Sequence, residues 1–136
     1  MIVDTGVFVA AANADEPRHT ACVALLQTTP GRLTVPAMVV AEATYLIEQA
    51  KGPAAEAAFI RSLSSSRYRI EAPISADLIR VAALIETYAD LPLGGTDASI
   101  IALAERLGEK DIATLDRRHF TVVRPAHVER FTLLPE

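Results

Sequence analysis

Short β-branched runs alternate along this chain with longer stretches of helical periodicity, the sequence signature of a parallel sheet flanked by helices. Ile2 to Asp4 reads as a first strand and Pro17 to about Gln27 as a helix. Further strands are expected at Arg32 to Val35, Tyr68 to Ala72, Asp111 to Leu115 and roughly Arg130 to Leu134. The reading is of α/β class: a three-layer α/β/α sandwich with a central parallel sheet of Rossmann-like type. At 136 residues the chain matches one ordinary domain, with no repeat and no linker, so a single domain over 1–136 is expected.

The helices between these strands carry their own stop signals. Pro36 ends the second strand and suits the first turn of a helix running to about Gln49, whose apolar set is read as Met38, Val39, Tyr45 and Leu46. Gly52-Pro53 closes that helix and opens another, which carries Ala57, Ile60 and Leu63. Ser75 reads as the N-cap of a helix with an apolar face of Leu78, Val81, Ala82, Ile85 and Tyr88, ended by Asp90-Leu91-Pro92. Gly94-Gly95 turns into a helix from about Thr96 to Leu107, stopped by Gly108.

Composition excludes several function classes. Hydrophobic residues at 51% against 22% charged rule out a disordered tail. Aromatic residues at 5%, with no Trp, disfavour a single-strand binder built on stacked rings, and a net charge of −4 argues against a protein that coats nucleic acid. Local basic patches, Arg117-Arg118 and Arg67-x-Arg69, remain available for phosphates. The single Cys22 forms no internal disulfide, reads as a helix-packing residue and fits a reducing, cytoplasmic setting. Val7 to Ala14 imitates the apolar part of a signal peptide, but Asp4 precedes it and no basic leader is seen; no apolar run reaches the roughly 20 residues of a membrane span.

Four acids stand where isolated charges are costly. Asp4 and Asp116 each close an apolar run at a strand end, Glu42 interrupts the stripe of the helix after Pro36, and Asp97 heads the face of Ile100, Ile101 and Ala104. Taken singly, an Asp at a strand-to-helix turn serves as well as a helix cap, and Glu42 as a half-exposed helix residue. Jointly, four such positions point to one site. Two like charges about 4 Å apart repel by roughly 4 kcal/mol at an effective dielectric of 20, and no Lys or Arg lies in the stripes beside Glu42 or Asp97. An all-oxygen ligand set points to Mg2+ or Mn2+ rather than zinc. In open parallel sheets, ligands bind beyond the carboxyl ends of strands where the strand order reverses, which is where Asp4 and Asp116 are expected. His19, His119 and His127 lack ligand spacing and read as surface or capping residues, Ser64-Ser65-Ser66 as structural, and Gly94-Gly95 lacks the Lys of a phosphate loop.

Ile2-Val3-Asp4-Thr5, Val40-Ala41-Glu42, Thr96-Asp97-Ala98-Ser99-Ile100-Ile101-Ala102-Leu103-Ala104 and Thr114-Leu115-Asp116-Arg117-Arg118-His119-Phe120 together resemble the PIN-domain ribonucleases. Over essentially its full length the chain is similar to the VapC toxins of bacterial toxin-antitoxin pairs. The resemblance implies that Asp4, Glu42, Asp97 and Asp116 hold one or two Mg2+ or Mn2+ ions, with the Thr5 and Thr114 hydroxyls supporting them. Gly6 departs from the Ser or Asn often found in the family, so no side-chain contact is assigned there. Arg117 and Arg118 are the candidates for phosphate contacts. The expected activity is cleavage of single-stranded or looped RNA, such as tRNA, by water activated at the metal. A VapB-type antitoxin placing an Arg among the carboxylates, and a homodimer, are the implied partners, with Val7 to Ala14 and Ala54 to Ile60 as apolar stretches able to form such surfaces.

Three other readings compete with this one. A receiver-like phosphoacceptor needs adjacent acids near the first strand and a late Lys at a strand end, whereas this chain has Asp4 alone and places Lys110 before its strand. A haloacid-type phosphatase needs a second Asp where Gly6 stands. A PIN-like module that binds RNA or protein without catalysis is the remaining alternative, and the intact set of four acids disfavours it.

Overall fold

A computed structural model describes residues 1–136. Five strands, β1 (Ile2–Val3), β2 (Leu33–Pro36), β3 (Tyr68–Glu71), β4 (Asp111–Ala113) and β5 (Thr132–Leu134), pair in parallel in the order β3-β2-β1-β4-β5. Seven helices connect them: α1 (Thr5–Ala12), α2 (His19–Thr28), α3 (Ala37–Lys51), α4 (Pro53–Ser62), α5 (Ser75–Thr87), α6 (Gly95–Leu107) and α7 (Arg117–Val122). The chain steps one way from β1 to β3 and the other way from β4 to β5. Right-handed crossovers therefore distribute helices over both faces, giving the expected three-layer α/β/α sandwich.

Burial explains which strands lie in the middle. Ile2, Val3, Ile112 and Ala113 are wholly buried, as strands covered on both faces must be, while Arg69 and Ile70 of the edge strand β3 are exposed. Ile2 pairs with Thr34 on one side and Ile112 on the other, and Val3 with Ala113. Strand β1 is only two residues long because Asp4 already caps α1. Helix α6 is buried continuously from Ala98 to Ala104, so it is a core helix rather than a surface one. Phe8 packs on Phe59 and Tyr68 at ring-centroid distances of 5.2 and 5.9 Å, tying α1 to α4 and β3. No helix is long and apolar enough to cross a membrane.

Several sequence expectations shift. Thr5 to Ala12 is a helix, hidden in the sequence because its run of apolar residues has no periodicity to read. Helix α3 buries Val39, Ala43 and Ile47, not the expected stripe: Tyr45 is 62% exposed and Leu46 38%. Glu42 is accordingly exposed rather than part of a buried face. Helix α5 buries Asp77, Val81 and Leu84 and leaves Leu78 and Ile85 outside; Ile74 rather than Ser75 is its cap residue. Both displacements have one cause. A rich supply of aliphatic residues on all sides of a helix leaves the choice of buried face to tertiary packing.

Candidate active site

Strand order reverses between β1 and β4, and the four acids gather beyond the carboxyl ends of these two strands. Asp4 leaves β1 and is held in line by its own N–H, which donates to the Ala113 carbonyl of β4 at 2.8 Å. Two residues on, Thr114 and then Asp116 leave β4, with the Thr114 N–H donating to Leu134 of β5 at 2.8 Å. Glu42 comes from the second turn of α3 and Asp97 from the first turn of α6. Asp4, Glu42, Asp97 and Asp116 line one open cleft of about 510 Å3 together with Thr5, Gly6 and Glu16, and Val9, Ala10, Leu46 and Leu115 form its apolar walls.

Each carboxylate is fixed by neighbours that leave part of it facing the cleft. One oxygen of Asp4 accepts from the Thr5 N–H at 2.6 Å and the other from the Thr114 hydroxyl at 2.7 Å. Thr114 is 1% exposed and its hydroxyl oxygen also accepts from the Asp116 N–H at 3.0 Å, so a single side chain couples the two strand-end acids. The Thr5 hydroxyl donates to Glu42 at 2.7 Å and so links α1 to α3. Asp116 caps α7 through the N–H groups of Arg118 and His119 at 3.0 and 3.3 Å. For Asp4 and Asp116 the capping role and the cleft role are thus both realised. Asp97 caps nothing, because Gly94 is the cap residue of α6.

His119, read from the sequence as a surface or capping residue, belongs to this cluster. Its Nε2 lies 3.2 Å from the Leu91 carbonyl, an oxygen that can only accept. Its Nδ1 faces the Asp116 carboxylate in close contact and Asp97 at 3.4 Å. Both ring nitrogens therefore face acceptors, the arrangement of an imidazolium. Asp97, Asp116 and His119 can each present a ligand atom within 4.8 Å of the others. The available signal was the spacing Asp116-x-x-His119, which sets both side chains on one face of a first helical turn; the approach of Asp97 and Leu91 comes from the fold.

The charges bear out the strain of gathering acids. Burial raises Asp4, an effect reinforced by Glu42 and Asp116 and partly offset by the Thr114 and Thr5 hydrogen bonds. Asp97 is pushed up to about 6, by burial first and then by the Asp4 charge, with His119 acting in the opposite direction. Burial acts to raise Asp116 too, but its hydrogen bonds from His119 prevail and hold it below the usual carboxylate range. Burial acts to lower His119, and its bond to Asp116 together with the two carboxylate charges raises it instead. His119 meets Asp116 and Asp97 only, so even a protonated ring leaves an excess of negative charge among the four carboxylates, and a hard cation with oxygen ligands fits that donor set.

The arginines divide. Arg117 donates to the Pro135 carbonyl and, like the exposed Arg118, lies on α7 outside the cleft lining. Arg67 is used to hold the Leu26 and Gly31 carbonyls, and Arg69 pairs with Glu71 at 3.1 Å, so this second basic patch is structural.

The strand order, with an acid cleft at its reversal, defines an open parallel α/β class, and comparison with known proteins names the family. The PIN domain family model matches residues 1–124, and the chain belongs to that family. It is 36% identical over 135 residues to Ribonuclease VapC26 of Mycobacterium tuberculosis, covering 99% of this chain and all of that protein. Among solved structures, that of VapC20 from Mycobacterium tuberculosis, described as a toxin cleaving the sarcin-ricin loop, superposes with a TM-score of 0.81. That match covers 94% of this chain and 98% of the other at 19% identity, and is a likeness of fold.

Proposed function

We propose that this chain, acting as one PIN domain over 1–136, is a divalent-metal-dependent endoribonuclease, the toxin of a type II toxin-antitoxin pair working in the cytoplasm. The coarse part, a ribonuclease of the VapC class, follows from family membership and from a relative of that name matched along its whole length. The single observation carrying the finer part is the convergence of Asp4, Glu42, Asp97 and Asp116 on one cleft with His119 as the one basic side chain against them. Mg2+ or Mn2+, one or two ions, is the group these residues suit.

Asp4, Glu42, Asp97 and Asp116 are the residues that would hold the ion, and the Thr5 and Thr114 hydroxyls fix Glu42 and Asp4 in the cleft through their 2.7 Å hydrogen bonds. A divalent cation there would supply acidified water and positive charge to offset the negative charge developing on a phosphodiester. The protein's own contribution is positioning. The scissile phosphate is anionic and four carboxylates repel it, so substrate entry and cation occupancy are coupled. The substrate class is single-stranded or looped RNA, structured RNA such as tRNA included.

Asp4→Asn or Asp97→Asn is expected to abolish Mg2+-dependent cleavage of RNA, read on gels, while circular dichroism shows the fold intact. Undiminished cleavage in either variant would remove the site assignment.

A VapB-type antitoxin and a homodimer complete the proposal. Phe8, Ala11, Ala12, Leu26, Ala55 and Phe59 line an apolar groove of about 350 Å3 between α1, α2 and α4, and all but Leu26 fall in the stretches expected to form partner surfaces. Co-expression with the antitoxin is expected to suppress the RNase activity, and undiminished activity counts against the pairing.

A further inference from the structure

A second cleft, of about 420 Å3, lies between α7 and β5, and three arginines line it: Arg117, Arg124 and Arg130. All three are exposed, and none forms an ion pair. Other arginines are held by carboxylates, as in Arg80 with Glu105 at 2.8 Å and Arg106 with Asp77 at 3.0 Å, or by several carbonyl bonds, as Arg67 is, whereas Arg124 and Arg130 have no side-chain partner of either kind. Arg117 is steadied by its hydrogen bond to the Pro135 carbonyl, which leaves its other N–H groups available. In a chain of net charge −4, unpaired positive charge concentrated in one concavity is an anion-binding feature.

Its location names the anion. Arg117 directly follows Asp116, and Arg117, Phe120 and Thr121 of α7 line the cleft together with Arg124 just past its end, so positive charge runs from the acid cleft along α7 and its exit. Arg117 reaches Pro135 just beyond the carboxyl end of β5, and Arg130 precedes the amino end of that strand, so the arginines span the length of the β5 edge. Phe120 and Phe131 line the cleft but are 2% and 7% exposed and pack edge-on against each other, so they offer no face on which a base could stack. The cleft is equipped for charge and not for base identity. Arg118, one position round the helix, is outside it.

We propose that Arg117, Arg124 and Arg130 bind backbone phosphates of the RNA strand on one side of the cut, continuing the acid cleft as a track that positions substrate without reading its sequence. This rests on the ribonuclease reading. An acidic segment of a protein partner is the rival occupant; continuity with Asp116 favours RNA.

The test uses the full-length protein, Mg2+ and a fluorescein-labelled single-stranded RNA of mixed sequence, with kcat and KM measured across a salt series. The double variant Arg124→Gln/Arg130→Gln is expected to raise KM roughly tenfold at 0.15 M salt with kcat unchanged, and to lower the slope of log KM against log salt by about 1.4, or about 0.7 per phosphate contact. Arg124→Lys/Arg130→Lys keeps the charge and is expected to recover most of the KM and the slope. Arg61→Gln, on the exposed side of α4, is expected to change neither. Unchanged KM and slope in the double Gln variant, with wild-type cleavage intact, overturns the arginine track alone. A fall in kcat at constant KM also overturns it. Unchanged KM with weakened capture of poly-glutamate assigns the cleft to a protein partner and does the same. If the wild-type protein cleaves no RNA, the ribonuclease reading fails and takes this proposal with it.

Discussion

The two ends of helix α6 treat buried acid in opposite ways. At its last turn Arg106 meets Asp77, a residue 5% exposed, with contacts of 3.0 and 3.1 Å, and the Ile74 N–H adds a third bond. One position earlier, Glu105 receives Arg80 at 2.8 and 2.9 Å and the Ala126 N–H at 2.9 Å; burial acts to raise it, and these donors lower it instead. At the first turn of the same helix Asp97 faces Asp4, Glu42 and Asp116, with only His119 to answer them, and its pKa rises to about 6. The chain therefore has arginines enough to neutralise buried acid and does so where the acid holds helices together. At the cleft it withholds them, and the missing charge defines what the site is for.

The sharpest way to break this comparison is to neutralise one acid at each end. Asp97→Asn is expected to reduce RNA cleavage by roughly a thousandfold or more, about 4 kcal/mol of transition-state stabilisation, with no loss of metal-free stability. Asp77→Asn is expected to leave cleavage alone and to lower stability by about 2 kcal/mol in urea unfolding, because a buried carboxylate loses its charge-assisted bonds from Arg106, which keeps only the longer contact to Glu71. An inactive but fully stable Asp77→Asn variant would erase the distinction.

Cation binding comes next in size. At a concentration a hundredfold above Kd, Mg2+ or Mn2+ is expected to stabilise the native protein by about 2.7 kcal/mol, visible as a raised Tm. Asp77→Asn should keep this increment and Asp97→Asn should lose it. Equal increments in both would show that the cation binds outside the cleft.

The pH dependence follows in size and has a definite sign. Asp97 stands above its ordinary 3.8, so the stability it contributes is present below that value and lost as pH rises through about 6. His119 stands above its ordinary 6.5, so its contribution is present below 6.5 and lost as pH rises through its folded value. Both act in one direction. The metal-free protein is expected to be more stable at pH 5.5 than at pH 8, by about 1–2 kcal/mol, with Asp97→Asn removing the step near 6. Excess Mg2+ should oppose the trend, since protons and cation compete for Asp97. A metal-free protein that gains stability between pH 5.5 and 8 would contradict the raised values.

The same contrast shows what was legible in the sequence. Asp4 and Asp116 stood out because a strand end is a local feature, and Asp97 because Gly94-Gly95 and Gly108 bracket its helix. Glu42 was found for a reason the fold does not support: it is not on the buried face of α3, and it reaches the cleft because Thr5, itself in an undetected helix, donates to it. Neither the pairing of Arg106 with Asp77 nor the meeting of His119 with Asp97 can be read along the chain, since they join residues 29 and 22 positions apart through the docking of α6 on its neighbours. Single residues and periodicities are written locally. Which side of an all-round apolar helix turns inward is decided by what it packs against.

The smallest expected effect concerns Thr114, whose hydroxyl sits between Asp4 and Asp116 as the cleft's stand-in for an arginine: a neutral donor that steadies an anion without cancelling its charge. Thr114→Val preserves shape and removes the 2.7 Å bond to Asp4 and the acceptor for the Asp116 N–H. At a position 1% exposed, this is expected to cost about 1 kcal/mol in stability. Since the Thr114 bond is the largest influence holding Asp4 down against burial, Asp4 should rise further, and the acid limb of the pH–rate profile should move to higher pH. Thr114→Ser keeps the hydroxyl and is expected to restore the profile. A Val variant with a wild-type acid limb would show that Asp4 is held by its backbone bond from Thr5 alone.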